Sequence, residues 1–378
     1  MKKVKEVIVF TSGDSSEIAT WSNVPFFFTQ TLKSKGIIVN RVNIAPSPVL
    51  KTIFNKTWLP LLKLFYKNTS YDYFRSLIHF NNVRARIKKA VRRFPAADAH
   101  IFLTFSFSST GLTTKPIIQF CDWTYDHYFN YFKKRQPDLL EFKSVNREDS
   151  QLNGSDLIIP LFPGVTEYMK KRYAGDKVIY LGNVINSLVE VSAEETDVLK
   201  ESSNDLLFIG SIKYMEGARS LIAAFSHLRS RIPDLRLNII GMKTTDFDIL
   251  PEGVFCHGYL DKGKADERNL YYSILQKSKI FINTTPKWGA FSATIEAMYF
   301  SIPVIVTPYD EFVETFGHQP DFGVFCEENT PSLIGEKILF ILNHPHYTTL
   351  SRNAHLAVRG FTWDVYIDRL LQKIETLQ

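Results

Sequence analysis

A single carboxylate, Glu296, stands among apolar residues early in a segment predicted to be a short helix. Small residues precede this helix, so the phosphates of a ligand can approach bare backbone N–H groups at its N-terminus. A carboxylate one turn further along accepts hydrogen bonds from sugar hydroxyls. The combination is typical of a nucleotide-sugar site. The residues predicted to form it are Trp288, Gly289, Ala290, Phe291, Ser292 and Glu296.

A second phosphate-binding candidate follows the predicted strand Asp205–Gly210. Gly210 permits a tight turn there, and Ser211 and Lys213 come next in the chain. The hydroxyl and the ammonium group can hold a diphosphate, the ammonium as a point charge. An ordinary strand-to-helix turn with a solvated lysine has the same pattern, so both interpretations stay open.

Asp122 directly follows the predicted strand Pro116–Phe120 and Cys121. A carboxylate at the end of a strand in an α/β domain is a candidate for orienting a hydroxyl nucleophile. The alternative is that Asp122 caps the aromatic helix that follows it.

The loop that contains Trp21, Ser22 and Asn23 lies between the first strand and the first helix. Ser22 or Asn23 is expected to cap that helix. A loop in this position faces the ligand cleft of a doubly wound domain. In the functional interpretation, its exposed backbone N–H groups also approach the phosphate of a donor or the acceptor.

Predicted strands and helices alternate, which indicates parallel sheets with helices on both faces. The alternation runs to a strand at Lys177–Leu181, stops in the polar stretch Ser192–Asn204 and resumes at Asp205. We therefore predict two α/β domains, residues 1–190 and 200–360, with ligands bound in the cleft between them. A last helix within 361–378 is expected to pack back on the first domain.

The composition limits the protein class. A length of 378 residues favours two domains, and 45% hydrophobic with 22% charged residues is typical of a soluble globular protein. Three widely spaced cysteines fit neither a disulfide framework nor a zinc site, which indicates a reducing compartment. No metal or cofactor is predicted. The N-terminal apolar run is too short for a signal peptide, and no run reaches the roughly 20 apolar residues of a membrane helix. A cytoplasmic location is therefore expected.

The net charge of +6 is unevenly distributed. Between Lys51 and Arg93, eleven lysines and arginines stand against one acid, Asp72, with aromatic and aliphatic residues interleaved. This segment, 51–93, indicates either a surface that meets anionic lipid or a solvated helical face whose apolar side lies in the core. Nucleic acid is not predicted as a partner, because no recognisable nucleic-acid module accompanies the charge.

The second half resembles the group 1 (family 4) retaining glycosyltransferases. The resemblance rests on the strand, glycine and basic loop of Leu207–Gly217, on His257–Leu260 with Tyr271–Asn283, on Glu296–Ile305, and on the closing segment at Phe361–Trp363. In the first half, the loop 20–25 is similar to a "TWSGTP" loop of one subset, and Asp122 is similar to an aspartate of that subset.

Some positions depart from the family pattern. The family has two glutamates eight positions apart, the first touching the transferred sugar and the second contacting the ribose. Glu296 matches the second glutamate. Trp288 occupies the place of the first. The indole can stack on the apolar face of a sugar. Ser211 and Glu216 stand where Arg and Lys are common near the diphosphate, and Asn23 replaces the loop glycine.

The resemblance implies an α/β GT-B fold, with two facing Rossmann-like doubly wound parallel-sheet domains and an interdomain cleft. It also implies metal-independent transfer of a sugar, with retention, from a UDP- or GDP-linked donor to a glycan or lipid-linked acceptor. Bacterial surface polysaccharide synthesis at the inner face of the membrane is the expected setting. The predicted catalytic residues are Asp122, Lys213 and Glu296; the donor site adds Gly210, Ser211 and 288–292, and the acceptor side adds Trp21, Ser22 and Asn23.

Two rival functions remain open. A non-catalytic subunit that binds a nucleotide sugar or a partner glycosyltransferase is suggested by Trp288 and by the few cations near the diphosphate. A nucleotide-sugar epimerase of the same architecture is the other.

Overall fold

The computed structural model describes residues 3–173, 175–191, 200, 203–285 and 291–377. Trp288, Gly289 and Ala290 of the predicted donor site therefore lie outside the described residues. The chain forms two compact units: one is Met1–Asn183 with Trp363–Gln378, and the other is Val184–Thr362.

The first unit is a parallel sheet covered by helices. Its strands are β1 (Glu6–Thr11), β2 (Ile38–Asn43), β3 (Ala99–Phe102), β4 (Ile117–Cys121) and β5 (Leu157–Pro160). Its helices are α1 (Val24–Ser34), α2 (Pro48–Phe65), α3 (Leu77–Arg93), α4 (Tyr125–Tyr128), α5 (Leu139–Asn153), α6 (Pro163–Arg172) and the last helix of the chain, Trp363–Thr376. The five strands lie in the order β2-β1-β3-β4-β5. The order reverses between β1 and β3, and the carboxyl ends of strands at such a switch point form a ligand crevice.

The strands of this sheet are apolar because both faces are covered. Val7, Ile8, Val9 and Phe10 of β1 are fully buried, as expected for a parallel strand between helical layers. The predicted strand at Lys177–Leu181 is wrong: Val178 makes a single bridge to Ile158. The next rung would need an N–H from Pro160, and proline has none.

The last helix of the chain packs on α1 in the first unit. Its buried residues recur at helical spacing, which is the pattern of an amphipathic helix. Lys35 at the end of α1 lies 3.2 Å from Asp364 and 2.8 Å from Asp368, and Arg369 Nη1 donates to the carbonyl of Leu181 at 3.0 Å. The chain therefore ends within the unit in which it began.

The second unit repeats the architecture with a larger sheet. Its strands are β6 (Asp205–Ile209), β7 (Arg236–Ile240), β8 (Val254–Gly258), β9 (Ser278–Asn283), β10 (Val304–Val306) and β11 (Gly323–Phe325). Its helices, numbered here in chain order, are α7 (Met215–Arg229), α8 (Ala265–Lys277), α9 (Ser292–Tyr299), α10 (Asp310–Phe316), α11 (Pro331–Leu342) and α12 (Tyr347–Val358). The six strands are parallel in the order β11-β10-β9-β6-β7-β8, so the switch point lies between β6 and β9.

Candidate functional site

A cavity of about 450 Å³ lies at the carboxyl ends of β1, β3 and β4 in the first unit. This volume is in the range of small-molecule sites, and the position is the switch point of the sheet. Aromatic side chains form much of its wall: Trp21, Phe74, Phe105, Trp123, Tyr125 and Tyr128.

Asp122 lies in the wall of this cavity, directly after β4. Its Oδ1 accepts hydrogen bonds from the Trp123 N–H at 2.9 Å and from the Cys121 thiol at 3.1 Å. Burial raises the pKa of the Asp122 carboxyl above 3.8, and these hydrogen bonds oppose the rise only in part. The alternative that Asp122 caps the following helix is wrong, because Thr124 caps α4 and accepts from the His127 N–H.

The loop before α1 holds three consecutive residues in the left-handed region. Trp21, Ser22 and Asn23 have φ values of 38°, 54° and 72°, a conformation that costs about 1–3 kcal/mol for a residue other than glycine. Trp21 reaches the cavity wall and meets Phe120 edge-on at 6.1 Å. The cavity thus brings together Trp21 and Asp122, two of the predicted acceptor residues.

Asn23 does not cap α1 as the sequence predicted. A capping side chain needs the extended backbone conformation, whereas Asn23 is left-handed and its Nδ2 donates to the carbonyl of Ile18 at 2.6 Å. The side chain of Asn23 therefore stabilises the loop by a hydrogen bond within it. Ser22 is exposed, and neither Ser22 nor Asn23 is among the described residues that line the cavity.

The predicted diphosphate residues follow β6 at the switch point of the second unit. Ser211 and Lys213 are exposed in and beside the short turn Ile212–Tyr214. Gly210 is required by close packing and not by a positive φ, since a Cβ there would lie 2.9 Å from a ring carbon of Phe208. The left-handed residue is Gly241, with φ +99°, where a Cβ would meet the carbonyl of Gly210 at 2.6 Å.

Glu296 lies in α9 and is buried, with 4% of its surface exposed. Its Oε1 accepts from Lys262 Nζ at 2.5 Å and its Oε2 accepts from Tyr271 OH at 2.9 Å. Burial and the neighbouring Glu296 raise the pKa of the Tyr271 phenol, so this hydroxyl is kept as a donor. Each carboxylate oxygen has a second acceptor position, and Glu296 therefore retains the capacity to bind a ligand hydroxyl.

Lys262 is the main site residue that sequence reasoning missed. It is 6% exposed, its Nζ also donates to the carbonyl of Asn186 at 2.9 Å, and it lies 4.3 Å from the centre of the Tyr271 ring. In the sequence, Lys262 stands in a charged stretch that looks solvated. The structure shows instead that Lys262 neutralises Glu296, the residue predicted to bind the ribose.

Two predicted donor residues at the start of α9 differ in exposure. Ser292 is exposed in the first turn, where helix N–H groups lack intrahelical partners. The side chain of Phe291 is buried and packs edge-on against Phe312 at 5.6 Å. Only the backbone of Phe291 is therefore expected to contact a nucleotide-sugar donor.

A comparison with known families matches part of the chain. Residues 193–357 match the family described as Glycosyl transferases group 1. This segment, less than half of the chain, is similar to group 1 glycosyltransferases. It contains Gly210, Ser211, Lys213, Lys262 and Glu296, and it lies within the second unit. A search of curated proteins finds no match.

Solved structures similar to the whole chain identify the fold. A glycosyltransferase from Rickettsia africae is 14% identical with a TM-score of 0.64, covering 99% of this chain and 98% of its own. Sucrose-phosphate synthase from Thermosynechococcus elongatus is 14% identical with a TM-score of 0.66 and covers 99% of both chains. Anabaena HepE, in complex with UDP and glucose, is 12% identical with a TM-score of 0.62, covering 98% and 99%. The GT-B fold implied by the resemblance is confirmed.

Proposed function

We propose that this protein is a family 4 retaining glycosyltransferase that moves a sugar from a nucleotide-diphosphate donor to a glycan or lipid-linked acceptor. The observation that carries the proposal is the match of residues 193–357 to the group 1 family around the buried Glu296. We take UDP as the favoured nucleotide, because the similar HepE structures hold UDP, and UDP-glucose. The setting that we propose is bacterial surface polysaccharide synthesis in the cytoplasm, without a metal.

The second unit would hold the donor. Glu296, whose carboxylate is already oriented by Lys262 and Tyr271, would accept hydrogen bonds from the ribose hydroxyls. Ser211 and Lys213 would contact the diphosphate after β6, together with backbone N–H groups at the start of α9. These donors would stabilise the charge that develops on the leaving diphosphate.

The first unit would hold the acceptor. Asp122 would orient the attacking hydroxyl, since its carboxylate lies in the cavity wall at the end of β4. Trp21 would pack against the acceptor from the opposite loop. Of the predicted acceptor residues, Ser22 and Asn23 would act through the shape of that loop.

Calorimetric titration with UDP, GDP and their common sugar conjugates tests the donor site. We expect saturable binding of UDP compounds, weakened about tenfold or more, or roughly 1.4 kcal/mol, in a Glu296→Ala variant. A Glu296→Gln variant, which keeps the side-chain shape, should lie between the two. Glu336→Ala, on the exposed face of α11, is the matched control and should bind like the unaltered chain.

Other results would favour the rival functions. A folded sample that binds none of these nucleotides rejects the transferase and favours the non-catalytic partner subunit. Conversion of the donor to an epimeric nucleotide sugar, with no acceptor present, favours the epimerase.

The basic segment 51–93 divides into two helices of different character. In α3, His79, Val83, Ile87 and Ala90 are buried, so the basic residues of this helix lie on its solvated face. For α3, therefore, the apolar side lies in the core.

Helix α2 exposes most of its apolar residues instead, while Leu59 and Leu62 pack against the cluster that contains Phe54. Phe54 is its buried residue, and the chain from Pro48 to Phe65 contains lysines but no acid. We therefore place a membrane-binding surface on α2 and propose that it rests on an anionic bilayer. None of the described helices is long and apolar enough to cross a membrane. The exposed apolar side chains of α2 are Val49, Leu50, Ile53, Trp58, Leu61, Leu64 and Phe65.

Co-sedimentation with lipid vesicles tests this surface. Binding is expected to vesicles of phosphatidylcholine with phosphatidylglycerol, with little to phosphatidylcholine alone, because the lysines need anionic headgroups. A Trp58→Ser/Leu64→Ser variant should lose at least tenfold in affinity, since both side chains are exposed. Leu356→Ser, an exposed leucine of the second unit, should have no effect. Equal binding to both lipid mixtures would contradict the proposal.

A further inference from the structure

One buried carboxylate organises the wall of the cavity in the first unit. Glu148 Oε2 accepts from Arg75 Nη1 at 2.9 Å and from Ser106 Oγ at 2.7 Å, and Oε1 accepts from the backbone N–H of Tyr125. Only 3% of the Glu148 side chain is exposed. Arg75, Ser106 and Tyr125 all line the cavity, so a single side chain on α5 holds three parts of its wall.

This arrangement leaves the cavity without an uncompensated cation among the described residues of its wall. Arg75 and Asp122 are the charged lining residues. Arg75 is neutralised by Glu148 and also stacks on the Tyr125 ring, with its guanidinium carbon 3.8 Å from the ring centre. Arg147 lies behind, donating to the carbonyl of Arg75, and is not among the described lining residues.

The charge pattern discriminates between ligands. A phosphate or carboxylate would have to compete with Glu148 for Arg75 while lying near the Asp122 carboxylate, at a site of low dielectric. An uncharged sugar neither competes with Glu148 for Arg75 nor is repelled by the Asp122 carboxylate. Its apolar faces can pack on the aromatic wall, and its hydroxyls can bond to Asp122 and Ser106.

We propose that this cavity binds the acceptor as an uncharged sugar ring, and that Glu148 is the positioning residue that sets this preference by neutralising Arg75. The inference rests on the proposed function, because it assigns the acceptor to the first unit. It narrows the acceptor from any glycan to one whose reacting sugar carries no phosphate or carboxylate.

The role of Glu148 leads to a specific consequence. Glu148→Gln keeps the length of the side chain and one acceptor oxygen, for Arg75 or for the Tyr125 N–H, and removes the negative charge. The guanidinium then faces the cavity as an unpaired cation, which favours phosphate and carboxylate groups. Loss of a mere structural support would weaken all ligands alike, whereas loss of charge compensation changes their order.

The test is a titration of the full chain, in the presence of saturating UDP, with methyl α-glucoside and with glucose 6-phosphate. For the unaltered protein, we expect the neutral glucoside to bind at least tenfold more tightly than the phosphate. In Glu148→Gln the ratio should shift at least tenfold towards glucose 6-phosphate. Trp123→Ala should abolish glucoside binding and so place it in this cavity.

A second variant keeps the proposal testable if Glu148→Gln does not fold. Arg75→Met/Glu148→Met replaces the buried pair by apolar side chains, an exchange that is often tolerated, and should keep the preference for the neutral sugar. Tighter binding of glucose 6-phosphate to the unaltered protein, an unchanged ratio in a folded Glu148→Gln sample, or no binding of either sugar would each overturn the inference. UDP binding in the same sample reports on the donor site separately, so failure of this inference can be distinguished from failure of the proposed function.

Discussion

Lys262→Met is expected to lower the free energy of unfolding by about 3–5 kcal/mol, because the Glu296 carboxylate is left buried without its counter-ion. Lys262 Nζ lies 2.5 Å from Glu296 Oε1, and both side chains are more than nine-tenths buried. The carbonyl of Asn186 also loses its donor. Urea unfolding, followed by circular dichroism, measures the change.

Two further variants separate charge from packing in this prediction. Lys262→Met/Glu296→Gln removes both charges and should recover most of the lost stability, as replaced ion pairs often do. Lys264→Met removes an exposed lysine that pairs with Glu267 at 2.8 Å, and should leave the unfolding free energy nearly unchanged. Equal losses in Lys262→Met and in the double variant would show that packing, and not charge compensation, accounts for the effect.

Asp122→Asn is expected to lower the rate of sugar transfer by about 100-fold or more while leaving the affinity for UDP unchanged. The amide keeps the shape of the carboxyl group but cannot accept a proton or hold a hydroxyl with a full charge. Steady-state kinetics at saturating donor, with the acceptor varied, measures the loss. Asp126→Asn is the control, because Asp126 pairs with Arg172 at 3.0 Å and is not among the described cavity residues.

The pH dependence of transfer provides a second measurement of Asp122. Burial raises the pKa of its carboxyl, so protonation begins at a higher pH than for an ordinary aspartate. The role proposed for Asp122 needs the ionised carboxylate, and the rate should therefore fall as the pH falls through this raised pKa. The acid limb should be missing in Asp122→Asn. A variant that transfers sugar at the unaltered rate would remove Asp122 from the catalytic residues.

Much of the fold could be predicted from local patterns. The strands β1, β4 and β6 lie where apolar runs predicted them, because a strand buried on both faces must be apolar along its whole length. The same regularity placed Asp122 and Gly210 at strand ends, and parallel strands end at one edge of a sheet.

Other predictions failed or stayed incomplete because they depend on neighbours distant in the chain. Lys177–Leu181 has the composition of a strand, but its partner Pro160 cannot continue the ladder. Helices α2 and α3 share a basic and apolar composition, and only packing decides that α3 buries most of its apolar side while α2 exposes most of its own.

The sequence by itself determined the α/β class, the parallel strands and the residue types of the two candidate sites, since these follow from periodicity and from what stands at a strand end. Tertiary structure alone decided which charges meet. Lys262 reaches Glu296, and Arg75 reaches Glu148, across 34 and 73 residues of chain. The physical reason is that sheet order brings such side chains together, and burial then makes each charge depend on its partner.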